Sequence, residues 1–386
     1  GTLGTRAGGT AMATIDVVAS DPESAGNVTY EIQSGSLPAG VSTATVHENG
    51  VSKFRITGTP TNPGGSTTSN FVLRAVDAAS NTTSRAFAIT VTRTATYTSF
   101  TASGTFSVPA GLSNIEEVLV VGGGGHGGYQ HSGGGGAGGL IFMPDYPVTP
   151  GGTVTVTVGC GGTPSGGSAP GYPNMTGQDS VFGTLTAKGG GVGQSGCSAG
   201  PNGDGPTTAG GGGSGGGAGY QSSNNGGAAA SQPTQPGNSG AYGFGRDGGN
   251  STGSGAQRAG GGGGGAATAG GQSTNANGGN GGNGKAYTIS DGTTPVYYAG
   301  GGGGSNHGSP SVAGQGGQGG GGTAGAGPIG QNGAPPAGAT NAQDGQANKG
   351  GGGGSAHYAG QQNTFALAPA GLNQGNGGKG IVIIKY

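Results

Sequence analysis

The chain has 386 residues, of which 105 are Gly, and only 7% of its residues are charged. Ordinary globular chains contain about 7% Gly and about 25% charged residues, so this composition excludes an ordinary globular domain. The 13 basic and 14 acidic residues are thinly spread and give a net charge of −1, so we expect no nucleic-acid partner. No apolar stretch reaches the roughly 20 residues of a transmembrane helix, so we expect no membrane span.

Composition changes near Arg93–Thr96, and residues 1–93 form the first predicted domain. This part is rich in Thr and Val, with period-two alternation separated by Pro and Gly turn signals. Five to seven short strands in about ninety residues predict an antiparallel β-sandwich. The clearest strand candidates are Ala13–Ala19, Val28–Gln33, Lys53–Thr57, Phe71–Asp77 and Arg85–Val91.

Four segments of this first part carry a resemblance to a known family: Ser34–Val41 (SGSLPAGV), Ile56–Thr61 (ITGTPT), Phe71–Asp77 (FVLRAVD) and Phe87–Val91 (FAITV). Their order and spacing resemble the Ig-like repeats of large surface and phage structural proteins. The resemblance implies that residues 1–93 act as a spacer. Related cadherin-like folds bind calcium, for which the acidic candidates are Asp16, Asp21, Glu23 and Asp77. Acidic residues at strand ends are more often solvated, so we expect no calcium.

Residues 94–386 form the second predicted domain, in which strand-like segments alternate with glycine runs. The apolar run Ile381–Ile384 follows roughly two hundred residues with little core material, so it should close a sheet that begins around Val118. Together the strands predict a second β-sandwich. They are Tyr97–Val108, Ile115–Val121, Leu140–Pro144, Thr153–Val158, Ser180–Ala187 and Ile381–Tyr386.

The glycine runs, between about residues 122 and 380, have two physical interpretations. Composition alone favours a flexible linker. If the runs are ordered, they need a conformation that pairs every backbone N–H and C=O without help from side chains. Polyproline II does this, because it has no internal hydrogen bonds and leaves each amide free for a neighbouring helix. In such a bundle we expect Ser214, Ala218 and His126 at the surface or at the ends of runs.

Two other ordered arrangements of glycine-rich chains are less suitable. Collagen requires Gly at every third residue with abundant Pro, whereas this chain has runs of four or five Gly and only 21 Pro. Silk-like stacked sheets remain open for stretches such as Gly226–Ala230, although regular alternation is missing there.

Motifs at both ends of the second part resemble glycine-rich domains of phage tail-fibre proteins: Phe106–Gly111 (FSVPAG), Val118–Gly125 (VLVVGGGG), Gly133–Leu140 (GGGGAGGL), Val148–Gly159 (VTPGGTVTVTVG) and Gly380–Tyr386 (GIVIIKY). They also resemble the glycine-rich domain of anaplastic lymphoma kinase receptors. The resemblance covers roughly residues 95–386. It implies an all-β fold with essentially no α-helix, in which a TNF-like or jelly-roll sandwich (about 97–187 and 381–386) carries an inserted polyglycine-II bundle. TNF-like sandwiches often form trimers, so a homo-oligomer is one expectation.

No enzyme, cofactor or metal site is predicted. The Gly-x-Ser-x-Gly match around Ser214 follows from composition, and the sequence shows no amphipathic helix for the strand-to-helix turn that a nucleophile elbow requires. The five His residues show no metal-ligand spacing. Cys160 and Cys197 permit one disulfide without demonstrating it.

Binding is the more plausible chemistry, because aromatic residues and His interrupt the glycine runs. On a rigid bundle, such residues would face outward, where ring faces pack against sugar C–H groups. The segment Ala286–Ala299, with its turn at Asp291-Gly292, is instead predicted as a supporting hairpin. The candidate surface-recognition residues are His126, Tyr129, His131, Tyr220, Tyr242, Phe244, His307, His357 and Tyr358.

The leading functional hypothesis is a structural fibre or adhesin of a phage virion, at the tail fibre or tail tip, with rigid reach and recognition of host-surface glycans. The alternative is a subunit of a secreted prokaryotic filament or surface layer, joined through sheet edges. The expected partners are other virion or filament subunits and cell-surface glycans or proteins. The chain starts without Met inside a strand-like segment, so we expect a processed product or a fragment.

Overall fold

The computed structural model describes residues 1–20, 27–129, 131–163, 175–196, 208–220, 227–232, 243–252, 258–307, 311–327, 339–356 and 374–386. These ranges contain 18 strands and no α-helix, which confirms the predicted all-β fold class. The chain divides into two compact units. The first comprises Gly1–Thr96, Ser107–Ser113 and Val148–Gly152, and the second comprises Tyr97–Phe106, Asn114–Pro147 and Thr153–Tyr386.

The first unit contains two sheets. Its strands are β1 (Thr2–Ala7), β2 (Ile15–Val17), β3 (Thr29–Gly35), β4 (Val41–Glu48), β5 (Val51–Gly58), β6 (Thr67–Val76) and β7 (Thr82–Thr92). They are arranged in the orders β1-β7-β6-β3 and β2-β5-β4. One pairing departs from the predicted all-antiparallel arrangement, because β1 runs parallel to β7.

One hydrophobic core is shared by these two sheets. Phe54 and Ile56 of β5 pack in the same cluster as residues of β6 and β7, including Phe71 and Ile89. The buried residues occupy alternate positions, as expected for strands with one covered face. On the outer face, Asp16 in the middle of β2 accepts two hydrogen bonds of 2.8 Å from Arg55, so this carboxylate has a protein partner.

The second unit contains two larger sheets and a hairpin. Its strands are β8 (Tyr97–Phe100), β9 (Gly104–Ser107), β10 (Asn114–Val121), β11 (Leu140–Pro147), β12 (Thr153–Thr157), β13 (Ser180–Phe182), β14 (Leu185–Ala187), β15 (Gly243–Phe244), β16 (Lys285–Tyr287), β17 (Val296–Tyr298) and β18 (Ile381–Lys385). The orders are β15-β11-β10-β18-β8 and β14-β13-β12-β9, with β16 and β17 paired alone.

The C-terminal strand β18 lies inside the five-stranded sheet. It pairs antiparallel with β10, where Val118 stands opposite Ile384, and this confirms the predicted closure of the sheet. A strand with neighbours on both sides and both faces covered needs continuous apolar residues, which explains the Ile381–Ile384 run. The two larger sheets contact each other through Tyr146 and Phe182, whose ring centroids are 5.4 Å apart.

The glycine runs are joined by backbone hydrogen bonds with a period of three residues. Within residues 122–128, every third N–H donates to the same neighbouring run: Gly122 to Gly139, Gly125 to Gly136 and Gly128 to Gly133, at 2.8–2.9 Å. The N–H groups between them donate to two other runs, again in steps of three. This is the pattern of polyproline II, which has three residues per turn and directs its amides outward.

Within the described part of the chain, six segments surround residues 122–128. Three of them accept its N–H groups and three donate to its carbonyls; they lie at residues 133–139, 175–178, 375–378, 162, 190–193 and 353–356. Such contact leaves no space for most side chains. A Cβ added at Gly135 would lie 2.2 Å from the Gly125 carbonyl oxygen, and one at Gly133 would lie 1.9 Å from that of Gly217. Glycine is therefore required here by the close approach of the backbones.

One expectation about the bundle was wrong. Ser214, Ala218 and His126 are all fully buried, rather than at the surface or at the ends of runs. The backbones of Ser214 and Ala218 keep their bonds to neighbouring runs, so the packing has space for a small side chain at selected points. At the adjacent Gly215, by contrast, a Cβ would lie 1.9 Å from a carbonyl oxygen.

Candidate functional site

The end of the bundle farthest from the sheets is the candidate site. Residues 122–128 leave the sheet at the end of β10, and residues 133–139 return to it at the start of β11. Among the described residues, 129, 131 and 132 lie between these two runs and are therefore the most distant part of the pair. We call this region the far end; it comprises residues 128–129, 131–132, 195–196, 220, 258 and 305–307.

Backbone hydrogen bonds bring the residues of the far end together. Tyr220 N–H donates to the His131 carbonyl at 2.9 Å, and Gly196 N–H donates to the Tyr129 carbonyl at 3.3 Å. The Tyr129 N–H also donates to Ser195 Oγ at 3.2 Å. Four predicted recognition residues thus occur at this end: Tyr129, His131, Tyr220 and His307.

Two side-chain pairs give the far end its chemistry. The rings of His131 and His307 have centroids 4.9 Å apart. The Arg258 guanidinium lies over the Tyr220 ring, 5.3 Å from its centroid, in cation–π geometry. Tyr129, Tyr220, Arg258 and His307 are all partly exposed. Together they offer ring faces and nitrogen donors, a combination suited to a ligand that carries C–H surfaces and oxygen acceptors.

His126 was predicted to be a surface contact, and the structure places it inside the bundle instead. It is the fifth residue of the run 122–128, and its N–H donates to the Met175 carbonyl at 2.9 Å. Its Nδ1 contacts the Gly127 carbonyl oxygen. Burial lowers the pKa of His126 to about 4. Its imidazole is therefore neutral at neutral pH and inaccessible to a ligand.

His131 also departs from the prediction of a surface residue. Its side chain is only 4% exposed and packs against His307, which follows the glycine run at residues 300–304. Its backbone has a positive φ of 46°, which reverses the chain between the two runs. His131 therefore shapes the far end, while the more exposed His307 presents the pair to solvent.

Phe244 lies apart from the far end. It belongs to β15 at the edge of the five-stranded sheet, opposite Leu140, and Lys285 Nζ lies 4.0 Å from its ring centroid. It packs against the same core as Tyr287.

The predicted hairpin is confirmed, because β16 and β17 pair antiparallel on either side of the Asp291-Gly292 turn.

Several predicted residues lie outside the described part of the chain: Tyr242, His357, Tyr358 and Cys197. Cys160 is described and exposed, and the disulfide stays a prediction. Arg258 was missed by the sequence analysis. The sequence did contain a signal for Arg258. It lies just before the Gly260–Gly265 run, at the border of a glycine run, as Tyr220 does just after Gly219.

Metal and membrane criteria were applied to the same described ranges. No group of three His, Cys, Asp or Glu residues with metal-binding geometry is found there. Nor does that part of the chain include a helix with the length and apolarity needed to cross a bilayer.

The model of a glycine-rich domain family matches residues 98–386. A search of curated proteins found no match.

Proposed function

Because the chain belongs to the glycine-rich domain family, we propose that its bundle is a rigid support for recognition residues in a fibre or adhesin of a phage virion. The location would be the tail fibre or tail tip, and the ligand a glycan of the host surface. Residues 1–93 would act as an Ig-like spacer, and the paired sheets of the second unit as a TNF-like base.

The far end is the observation that carries this proposal. The bundle holds its runs by backbone hydrogen bonds in several directions, so the residues at its end stand on a stiff base. A preorganised site loses little conformational entropy on binding. Tyr220 and Arg258 would form the main contact surface for the glycan. An aromatic ring face packs against sugar C–H groups, and a guanidinium donates hydrogen bonds to sugar oxygens.

A binding assay with matched variants tests the proposal. We expect the purified chain to bind host-surface glycans on an array, and Tyr220→Ala or His307→Ala to weaken that binding about tenfold, the equivalent of about 1.4 kcal/mol. Tyr297→Ala is the control, since Tyr297 is equally aromatic and 42% exposed but lies on β17, away from the far end. Equal loss in all three variants, or binding unaffected by the far-end changes, would refute the assigned site.

Electron microscopy of the purified chain distinguishes the proposal from the filament alternative. Discrete monomers or trimers are expected of a tail-tip adhesin. Long filaments assembled from this chain alone would overturn that assignment and favour a polymerising subunit of a surface layer.

A further inference from the structure

Three asparagines at three-residue spacing line one side of the bundle. Asn277, Asn280 and Asn283 are all exposed. Their side-chain oxygens accept backbone N–H groups of the adjacent run: Val312 N–H donates to Asn277 Oδ1 at 2.8 Å, Gln315 N–H to Asn280 Oδ1 at 2.8 Å and Gln318 N–H to Asn283 Oδ1 at 3.0 Å.

The glycine after each asparagine completes the contact. Gly278, Gly281 and Gly284 donate their N–H groups to the carbonyls of Val312, Gln315 and Gln318, at 2.9, 2.8 and 2.7 Å. Each Asn-Gly pair therefore holds both backbone polar groups of a single residue on the neighbouring run. We call this arrangement an Asn-Gly clamp.

Inside the bundle, the acceptor for such an N–H group is the carbonyl of another run. Gly301 N–H, for example, donates to the Gly282 carbonyl at 2.8 Å. Along residues 312–318 the acceptor is a side chain, so Asn Oδ1 stands where the carbonyl of one further run would stand. Side chains do the same elsewhere: Asp344 accepts the Asn376 N–H at 2.7 Å, Asp247 that of Ala230 at 2.7 Å and Asn250 that of Gly227 at 2.9 Å.

Without the asparagine side chains, a row of free backbone N–H groups would be exposed on the side of the bundle and could recruit another chain. Unpaired backbone groups at the edge of a sheet recruit strands from other chains, and proteins cover or interrupt such edges. A polyproline II run with three free donors, one per turn, presents the same problem on the side of a bundle. A run with the same repeat, about 9.3 Å per turn at 3.1 Å per residue, could satisfy all three donors with its own backbone carbonyls.

We propose that Asn277, Asn280 and Asn283 close a lateral binding site for one additional glycine-rich run from a second copy of this chain. Occupying the site with side chains keeps the bundles separate. The inference concerns lateral association alone and stands whether or not the far end binds glycans.

Paired substitutions test this inference. Asn280→Gly with Asn283→Gly removes two clamps, whereas Gln315→Gly with Gln318→Gly adds the same number of glycines on the adjacent exposed ridge. The Gln315 and Gln318 side chains form no hydrogen bond within the described residues, so this second pair is the matched control. Sedimentation over a concentration series should show a self-association constant raised roughly 20- to 100-fold over wild type for the clamp variant only, from two or more new backbone hydrogen bonds.

Hydrogen exchange keeps the test decisive if the double variant folds poorly. In the single variant Asn280→Gly, the Gln315 amide should exchange at least tenfold faster, while Asn280→Asp, which retains the acceptor oxygen, should leave its protection unchanged. A folded clamp variant that associates no more than wild type would overturn the inference. So would unchanged protection of the Gln315 amide after Asn280→Gly in dilute protein that does not self-associate, because a bound second copy would itself protect that amide.

Discussion

Replacement of Gly135 by alanine is the sharpest test of backbone-to-backbone packing. Its Cβ would lie 2.2 Å from the Gly125 carbonyl oxygen, well inside the 3.0 Å that real Cβ contacts respect. The carbonyl must therefore move by roughly 0.8 Å or more. That oxygen accepts the Gly353 N–H at 2.9 Å, and Gly135 itself donates to Gly353 and accepts from Gly302 at the same distance.

The expected cost follows from these three hydrogen bonds. Each contributes about 1 kcal/mol net, and overpacking of a filled interior adds about 1–3 kcal/mol. The lower entropy of the unfolded alanine chain returns about 0.5–1 kcal/mol. We therefore expect Gly135→Ala to lower the free energy of unfolding of the second unit by about 4 kcal/mol.

Urea unfolding of the full chain measures this difference, with Gly211→Ala as the control. A Cβ at Gly211 meets nothing closer than the Ala229 carbonyl oxygen at 3.5 Å, so that variant should be within about 0.5 kcal/mol of wild type. Equal stability of the two variants would show that the runs are not held in the close contact described above.

Three further predictions concern pH, the sheet and a turn. The pKa of His126 is lowered to about 4 in the folded chain and is about 6.5 when unfolded, so only the unfolded state binds a proton between these values. The free energy of unfolding should therefore fall by about 3 kcal/mol as pH drops from about 6.5 to about 4, and His126→Ala should flatten that slope in denaturation at several pH values. Ile383→Ala should lower stability by about 2–5 kcal/mol in urea unfolding, because Ile383 is buried in β18, and a loss below about 1 kcal/mol would contradict its central position. Gly50 has a φ of 76° with nothing within 4 Å of an added Cβ. Gly50→Ala should therefore lower the free energy of unfolding by only the backbone strain, about 1–2 kcal/mol, as measured by thermal unfolding.

The sheets could largely be predicted from the sequence because their signal is local or strongly apolar. The run Ile381–Ile384 has too many apolar residues for anything but a covered strand, and the partner of β18 was correctly inferred. Strand β4 was missed because it lies at the edge of its sheet, where most of its side chains are exposed and alternation is weak. Strand β1 was not among the delimited strand candidates, although the chain was expected to start inside a strand-like segment, and its parallel pairing with the distant β7 leaves no local pattern.

The polyproline II conformation of the glycine runs could be predicted from the sequence, but which runs contact each other could not. Glycine runs are nearly identical to one another, so nothing local indicates that Gly135 meets Gly353 rather than another glycine. The burial of His126 and Ser214 depends on which runs surround them, and it could not be read from their own positions. The Asn-Gly clamps did have a signal, the period-three sequence Asn277–Asn283 (NGGNGGN), whose meaning becomes clear only beside residues 312–318.

The peptide groups buried inside the bundle affect how its stability depends on temperature. Exposing apolar surface on unfolding raises the heat capacity, whereas exposing polar surface lowers it. The runs at residues 122–128 and 133–139 bury mainly peptide groups, so their unfolding should add less heat capacity than the usual ~12–15 cal/mol/K per residue. Hydrophobic stabilisation weakens on cooling, but hydrogen-bonded peptide packing lacks that dependence. The bundle should therefore keep its stability in the cold, where the core of the first unit loses part of its own.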